Sequence, residues 1–232
     1  MPGWTFGSTT DQGSGIGDQG SGIRDQLNST QLRRRVFKPA VWLACLAPLA
    51  YLIYSLYRDL GANPIETVTN FTGIWTLRLI VATLAITPLR WLTGINQLVN
   101  YRRLIGLFAF FYGSLHFTIY VVTTFIVEGE FDYSGLVKDL TERPYIMAGF
   151  TAFVLMIPLA ITSTAGWIRR LGGKKWNLLH RLIYITAFAA VLHYFWKVKL
   201  DTTFPVYYGI GVAILLGLRA WRHFAKRRAS EV

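Results

Sequence analysis

Residues 103–127 read RLIGLFAFFYGSLHFTIYVVTTFIV, and this stretch decides the class of fold. It begins at a basic residue and then continues without a charged side chain for more than 20 residues. A run of that length and character can cross the hydrocarbon core of a bilayer as a helix. His116 lies inside the run, where an ionisable side chain is costly and therefore marks a candidate functional residue.

Five other segments have the same character, so the chain is predicted to be all-α, a bundle of six transmembrane helices. The predicted helices cover residues 38–57, 71–92, 103–127, 145–165, 177–196 and 205–222. The composition agrees, since 53% of the residues are hydrophobic and 16% are charged. Pro48, Pro88 and Pro158 fall inside the segments and predict kinks, because neighbouring helices can satisfy the freed carbonyl groups.

The N-terminal region differs from the rest of the chain. Residues 1–31 are rich in Gly and Ser and contain the near-repeat DQGSGIG at 11–17 and DQGSGIR at 18–24. This composition predicts a disordered tail, and the region lacks the pattern of a secretory signal peptide. We therefore expect one transmembrane domain over residues 32–228.

Basic residues are concentrated in alternate connections, which indicates the orientation of the bundle. The tail before helix 1, the 2–3 loop, the 4–5 loop and the C-terminal segment carry sixteen Lys and Arg, whereas the opposite loops carry five. Cytoplasmic loops retain basic residues, so both termini are predicted to be cytoplasmic. This topology explains the net charge of +12 without a nucleic acid partner. The basic 4–5 loop is also compatible with a contact to anionic lipid or to a docking partner.

Three histidines lie at membrane depth, which raises the possibility of bound heme. A rise of about 1.5 Å per residue places His116 about 20 Å from the cytoplasmic start of helix 3 and His193 about 27 Å from that of helix 5. Both therefore lie in the outer half of the bilayer, where two facing imidazoles can ligate one heme iron. His180 lies nearer the inner surface. The single cysteine, Cys45, excludes a site for covalent heme attachment, so we expect heme b held noncovalently.

Other interpretations of these residues remain open. A membrane histidine can also act as a hydrogen-bonding residue between helices. The thirteen residues from His180 to His193 correspond to about 220° of rotation on an ideal helix, so the two would not face one partner without a bend. Arg78 in helix 2 either extends to the interface or pairs with a heme propionate, and the second interpretation is slightly favoured.

Several stretches together resemble the ferric-reductase-like transmembrane superfamily, which includes the membrane cores of NADPH oxidases. The resemblance is closest to the heme-binding membrane subunits of the bacterial periplasmic protein-methionine-sulfoxide reductase system. It is carried by GIWTLR at 73–78, YRRLIGL at 101–107, LHFTIY at 115–120, TERPYI at 141–146, TST at 162–164, WNLLHRLIY at 176–184 and LHYFW at 192–196.

The resemblance implies roles for the residues at matching positions. His116 and His193 match the outer heme pair of the superfamily, and His180 matches the inner histidine of helix 5. The inner histidine of helix 3 would fall at position 102, which is Arg102 here, so this chain departs from the oxidase pattern. One heme b and a flavin mononucleotide (FMN) are expected in the reductase-subunit family, with Arg102 and Arg103 near an anionic phosphate or propionate.

The implied function is electron transfer across the membrane. Quinol or a separate flavin reductase is expected to supply electrons, because no nicotinamide or flavin domain follows the last helix. A periplasmic molybdopterin-dependent reductase that repairs oxidised methionine is the expected acceptor and the partner in a heterodimer. We expect electron transfer alone, without catalytic residues of the chain's own. A stand-alone ferric or quinone reductase, and a non-redox transporter or scaffold, are the alternatives.

Overall fold

The described part of the chain is almost entirely helical. The computed structural model describes residues 15–127 and 130–229, with side chains from residue 36 onward apart from those of 126–130 and 226. Two compact units are present, residues 1–44 and residues 45–232. Helix α1 begins at Gly15, inside the predicted tail. Residues 1–14 lie outside the described residues, and no side chain is described up to residue 35, so the disordered tail stays a prediction.

Eight α-helices are described. They are α1 (Gly15–Arg58), α2 (Pro64–Thr93), α3 (Val99–Phe125), α4 (Tyr133–Glu142), α5 (Pro144–Ile161), α6 (Ala165–Leu179), α7 (Leu182–Lys197) and α8 (Thr203–Ala229). A short 3-10 turn, Asn96–Leu98, precedes α3. Strands β1 (Ile126–Val127) and β2 (Glu130–Phe131) form an antiparallel pair with Ile126 opposite Phe131.

Five of the helices are long and apolar enough to cross a membrane. They lie within Val36–Arg58, Pro64–Thr93, Asn96–Phe125, Pro144–Ile161 and Thr203–Ala229. Helices α6 and α7 have 15 and 16 residues, so each is too short alone, and they qualify as a sixth span only when taken together across a 44° bend. The prediction of an all-helical multi-pass membrane protein is therefore confirmed.

The structure differs from the sequence prediction at several helix boundaries, including the start of α2 at Pro64 and the end of α5 at Ile161, and three differences change a connection between helices. The fifth predicted helix, 177–196, is broken at His180 and Arg181, so that α7 starts at Leu182. Helix α3 ends at Phe125, two residues earlier than predicted, because the chain turns into the β-pair there. Helix α4 was not predicted, and it begins where the Asp132 carboxylate accepts a hydrogen bond from the Gly135 backbone N–H.

Pro48 illustrates how this bundle accommodates a proline inside a span. The hydroxyl of Tyr112 in α3 accepts a hydrogen bond from the Leu49 backbone N–H at 3.0 Å and donates one to the Cys45 carbonyl at 2.8 Å. Tyr112 is fully buried. The hydroxyl thus stands between two backbone groups that an undisturbed helix would pair with each other, which is a recognised cause of helix bending. The neighbouring helix therefore satisfies backbone groups near the proline, as expected for spans in lipid.

Helices α2, α3, α5 and α7 pack against one another and carry the residues of interest. Thr72, Thr76 and Thr83 are buried in α2, and each hydroxyl donates to the carbonyl four residues earlier. Their polar groups are therefore satisfied within the helix, which leaves small apolar surfaces for close helix contact.

Candidate functional site

His116 and His193 face each other across the bundle. His116 belongs to α3 and His193 to α7, and their ring centroids lie 6.1 Å apart with the planes at 77°. A nitrogen ligand lies about 2 Å from a bound transition metal and roughly 1 Å from the centroid of its own ring, so two imidazoles sharing one ion have centroids about 6 Å apart. The observed separation therefore fits a pair of axial ligands.

The hydrogen bonds of both rings leave the same nitrogen free. His116 Nδ1 lies 2.8 Å from the Thr69 carbonyl oxygen, and His193 Nδ1 lies 2.6 Å from the Tyr145 carbonyl oxygen. A carbonyl can only accept, so Nδ1 carries the proton in each ring. Each Nε2 then retains its lone pair, which is the arrangement that outer-shell carbonyls impose on metal-binding histidines.

Two glycines allow neighbouring helices to approach these rings closely. A Cβ atom added at Gly73 of α2 would lie 2.9 Å from His116 Cε1, and one at Gly149 of α5 would lie 2.6 Å from His193 Nδ1. Both contacts are shorter than carbon and nitrogen atoms tolerate. Gly73 belongs to the stretch 73–78 that carries the family resemblance. Nothing in the sequence pointed to Gly149, because its close contact is with a residue of another helix.

A polar network lies beside the histidine pair, at the end of the bundle where α4 packs. Asp139 of α4 is 9% exposed, accepts a hydrogen bond from the Tyr120 hydroxyl at 2.8 Å and pairs with Arg143 at 3.0 Å. Arg143 also donates to the Tyr145 hydroxyl at 3.3 Å. This hydrogen bond and the charge of Asp139 raise the pKa of Arg143. The network therefore connects α4 to α3 and to the residue whose carbonyl holds His193.

Two further polar groups lie at the same end. Lys197, one turn after His193, donates to the side chain of Asn70, which follows Thr69 in α2. Asp132 at the start of α4 accepts hydrogen bonds from the Gly135 N–H and the Ser134 hydroxyl, and these lower the pKa of its carboxyl group. Of these two groups, Lys197 places a positive charge near the two histidines.

Arg78 has protein partners of its own. Its Nε donates to the Tyr208 hydroxyl at 3.1 Å, and its guanidinium lies 4.9 Å from the ring centroid of Trp75. The side chain is exposed. The Nε1 atom of Trp75 is buried and has no hydrogen-bond partner among the described residues. The structure therefore ties Arg78 to α8 and to its own helix, and the predicted contact with a propionate stays a prediction.

His180 lies at the break between α6 and α7, away from the histidine pair. The Trp176 ring stacks on it at 3.9 Å, and its Nε2 lies 3.2 Å from Thr162 Oγ1. The Thr162 hydroxyl already donates to the Pro158 carbonyl at 2.6 Å, so it accepts from His180. In this arrangement Nδ1 is the nitrogen with a free lone pair, unlike in the outer histidines. The break also removes the geometric objection based on an ideal helix.

The inner cavity beside His180 brings together residues that are distant in sequence. Arg102 and Arg103 line it together with His180 and Trp176, and their role in an inner cofactor site stays a prediction. The remaining lining residues are mainly small or apolar: Thr83, Gly106, Ala109, Met156, Leu159, Ser163 and Ile183. Across the part of the chain that the structure describes, no three His, Cys, Asp or Glu side chains cluster in a way that could hold a bare metal ion.

Comparison with known proteins places this architecture in a family. Residues 72–191 match the family of the ferric reductase like transmembrane component. The protein-methionine-sulfoxide reductase heme-binding subunit MsrQ of Ralstonia nicotianae is 50% identical over 190 residues, which are 81% of this chain and 86% of the relative. The proteins of the same name from Herminiimonas arsenicoxydans and Xanthomonas campestris pv. campestris are 47% and 44% identical over 200 residues, covering 84% and 83% of this chain and 90% and 89% of the relatives. The chain therefore belongs to the ferric reductase like transmembrane family and, within it, to the MsrQ heme-binding subunits.

Proposed function

We propose that this protein is a membrane b-type cytochrome that holds heme between His116 and His193. The observation that carries the proposal is the 6.1 Å separation of two imidazoles whose Nδ1 atoms are both committed to backbone carbonyls. Bound heme supplies one-electron chemistry, with a potential set by its axial ligands and surroundings. Thr69 and Tyr145 hold the tautomer and orientation of the ligands, and the flanking helices exclude water from them.

The direction of electron transfer follows from the predicted orientation. Electrons enter from the quinone pool or a flavin reductase on the cytoplasmic side of the bacterial inner membrane and leave on the periplasmic side. The acceptor is a molybdopterin-dependent subunit that reduces methionine sulfoxide in oxidised proteins and forms a heterodimer with this chain. The names of the relatives support the reductase system, since each is called a heme-binding subunit of a protein-methionine-sulfoxide reductase.

The inner cavity is proposed to take a second cofactor. His180, Arg102 and Arg103 line it, and guanidinium groups suit the phosphate of FMN or a propionate. His180 is then either an iron ligand through Nδ1 or a hydrogen-bonding contact. Arg78, if it leaves Tyr208, supplies a cation to a propionate near the outer heme.

The proposal is tested by spectroscopy of histidine variants in the purified, detergent-solubilised protein. His116→Ala and His193→Ala are each expected to abolish the low-spin b-type spectrum, because one axial ligand is lost. His223→Ala is the matched control, since His223 lies exposed near the end of α8 and contacts only Phe224 among the described rings. His180→Ala is expected to preserve the outer heme and to change the inner occupant.

Two outcomes contradict the proposal. A wild-type protein without a Soret band, after expression with adequate heme, refutes any cytochrome and favours a transporter or scaffold. A normal low-spin spectrum in both outer variants refutes the ligand assignment. A stand-alone ferric or quinone reductase is distinguished by turnover of ferric chelates or quinones in the absence of a periplasmic partner.

A further inference from the structure

Arg219 lies beside the inner cavity and lacks a complete set of partners. It belongs to α8, and its Nη2 donates to the Leu84 carbonyl of α2. Its guanidinium lies 5.5 Å from the ring centroid of Tyr184 in α7. The other terminal nitrogen, Nη1, is buried and has no hydrogen-bond partner in the described part of the chain. An unsatisfied charged donor is costly at such a depth, so a group that accepts from it is expected.

A second arginine carries charge in the same place. Arg102 of α3 is half-buried and lines the His180 cavity. The same cavity is lined by Thr83 and Ile183, which are the chain neighbours of the two residues that Arg219 contacts. Two guanidinium groups in one partly buried region repel each other unless an anion lies between or beside them. The arrangement therefore needs negative charge.

No carboxylate side chain is described at this end of the bundle. The acidic side chains that the structure describes are Asp59, Glu66, Asp132, Asp139, Glu142 and Asp201, all in or next to the loops at the opposite end. Leu84, which Arg219 contacts, follows Glu66 by eighteen helical residues, or about 27 Å along α2. Among the described residues, no Asp or Glu pairs with Arg102 or Arg219. No side chain that the structure describes therefore supplies the compensating anion, which leaves a bound ligand as its source.

We infer that Arg102 and Arg219 together bind an oxyanion, the phosphate or carboxylate group of a ligand at the mouth of the His180 cavity. Guanidinium groups bind such planar or tetrahedral oxyanions through two parallel hydrogen bonds, and the free Nη1 of Arg219 supplies one donor. The inference deepens the inner site and, for its cofactor sources, rests on the proposed function. The same chemistry is offered by the phosphate of FMN, the propionate of a second heme or the phosphate of an anionic lipid.

The test compares Arg219→Gln and Arg102→Gln with Arg222→Gln in the full-length protein. Arg222 is the matched control, because it lies one turn further along α8 and its guanidinium stacks over Trp91 at 4.5 Å. The proteins are assembled in phosphatidylcholine nanodiscs. The affinities for FMN and for riboflavin, which lacks the phosphate, are measured by fluorescence quenching. Heme per chain is measured as pyridine hemochrome. The phosphatidylglycerol that co-purifies with each variant is counted by native mass spectrometry.

Loss of one ligand identifies the source of the oxyanion. If the oxyanion is the phosphate of FMN, the affinity for FMN falls about tenfold to a hundredfold in Arg219→Gln and Arg102→Gln. The affinity for riboflavin, and the affinity of the Arg222→Gln control for FMN, are then unchanged. If it is a propionate or a lipid, heme per chain or bound phosphatidylglycerol falls instead. Unchanged values in all three measurements overturn the inference.

Arg219→Lys is the second variant, to be used if Arg219→Gln misfolds. It keeps the positive charge but lacks the paired N–H donors of the guanidinium group, so its affinity for the oxyanion ligand is expected to lie between those of the wild type and Arg219→Gln. A wild-type protein without outer heme refutes the proposed function, whereas the oxyanion site is judged from ligand binding.

Discussion

At the scale of single residues, the candidate heme site depends on neighbours that belong to other helices. The two carbonyls that hold His116 and His193 come from Thr69 in α2 and Tyr145 next to the start of α5. Each is 47 or 48 residues away from its histidine in the chain. The tautomer of each ring, and therefore the nitrogen that can bind iron, is decided by these long-range contacts.

Gly73 and Gly149 provide a direct test of this geometry. Gly73→Ala and Gly149→Ala are each expected to displace the adjacent imidazole, because the new methyl group would lie within 3 Å of ring atoms. Overpacking of this kind costs about 1–3 kcal/mol. The measurements are heme content, the width and position of the reduced α-band, and the midpoint potential.

Gly211→Ala is the control for these two variants. Gly211 lies in α8, and no atom lies within 4 Å of a Cβ built there. The substitution is expected to leave the spectrum unchanged and to raise stability by about 0.4–1 kcal/mol, because alanine restricts the unfolded chain. If Gly149→Ala behaves as Gly211→Ala does, the close contact with His193 is wrong.

At the scale of helices, the hydroxyl of Tyr112 joins α3 to α1 next to Pro48. Tyr112→Phe removes the partner of the Leu49 N–H and of the Cys45 carbonyl without changing the packing volume. The Leu49 N–H and the Cys45 carbonyl then either stay unpaired, at a cost of about 1–3 kcal/mol, or pair with each other only after α1 shifts out of its native packing. A lower midpoint of thermal unfolding in detergent is expected in both cases.

Tyr207→Phe is the matched control for this prediction. Tyr207 lies in α8 with 65% of its surface exposed. Its substitution is expected to change the unfolding midpoint little, because its hydroxyl makes no hydrogen bond to any residue that the structure describes. Equal midpoints for the two variants would show that the Tyr112 hydroxyl does not stabilise α1.

Helix α4 and the break at His180 show which elements could not be predicted. The segment 133–142 is polar and short, so a search for runs of about 20 apolar residues passes over it. Its cap at Asp132 and its contact through Asp139 anchor it to α3 and α5. The break lies at His180 and Arg181, between Leu179 and Leu182, and the composition there does not distinguish a continuous helix from a bent one.

At the scale of the whole molecule, the predicted orientation can be tested with cysteine labelling. Cys45 is the only cysteine and is buried, so single cysteines can be introduced without a background signal once Cys45 is replaced by Ala. Glu142→Cys and Lys174→Cys each change an exposed residue, at the end of α4 and within α6 respectively. Labelling with a membrane-impermeant maleimide in intact cells is expected for Glu142→Cys, and for Lys174→Cys only after permeabilisation. The reverse labelling pattern would show the opposite orientation of the bundle and would contradict the proposed direction of electron transfer.

The sequence by itself determined the membrane location, the approximate spans and the shared depth of His116 and His193. These properties depend on composition along the chain, because lipid demands about 20 apolar residues per span whatever the neighbours are. The tertiary structure alone decided which faces meet: the carbonyls on the histidine rings, Gly149 against His193, and Arg219 against Leu84 and Tyr184. Lipid tails and helix interfaces are almost equally apolar, so hydrophobic periodicity carries little information about helix rotation in a membrane bundle. Packing of small residues and long-range hydrogen bonds set that rotation, and they exist only in the folded bundle.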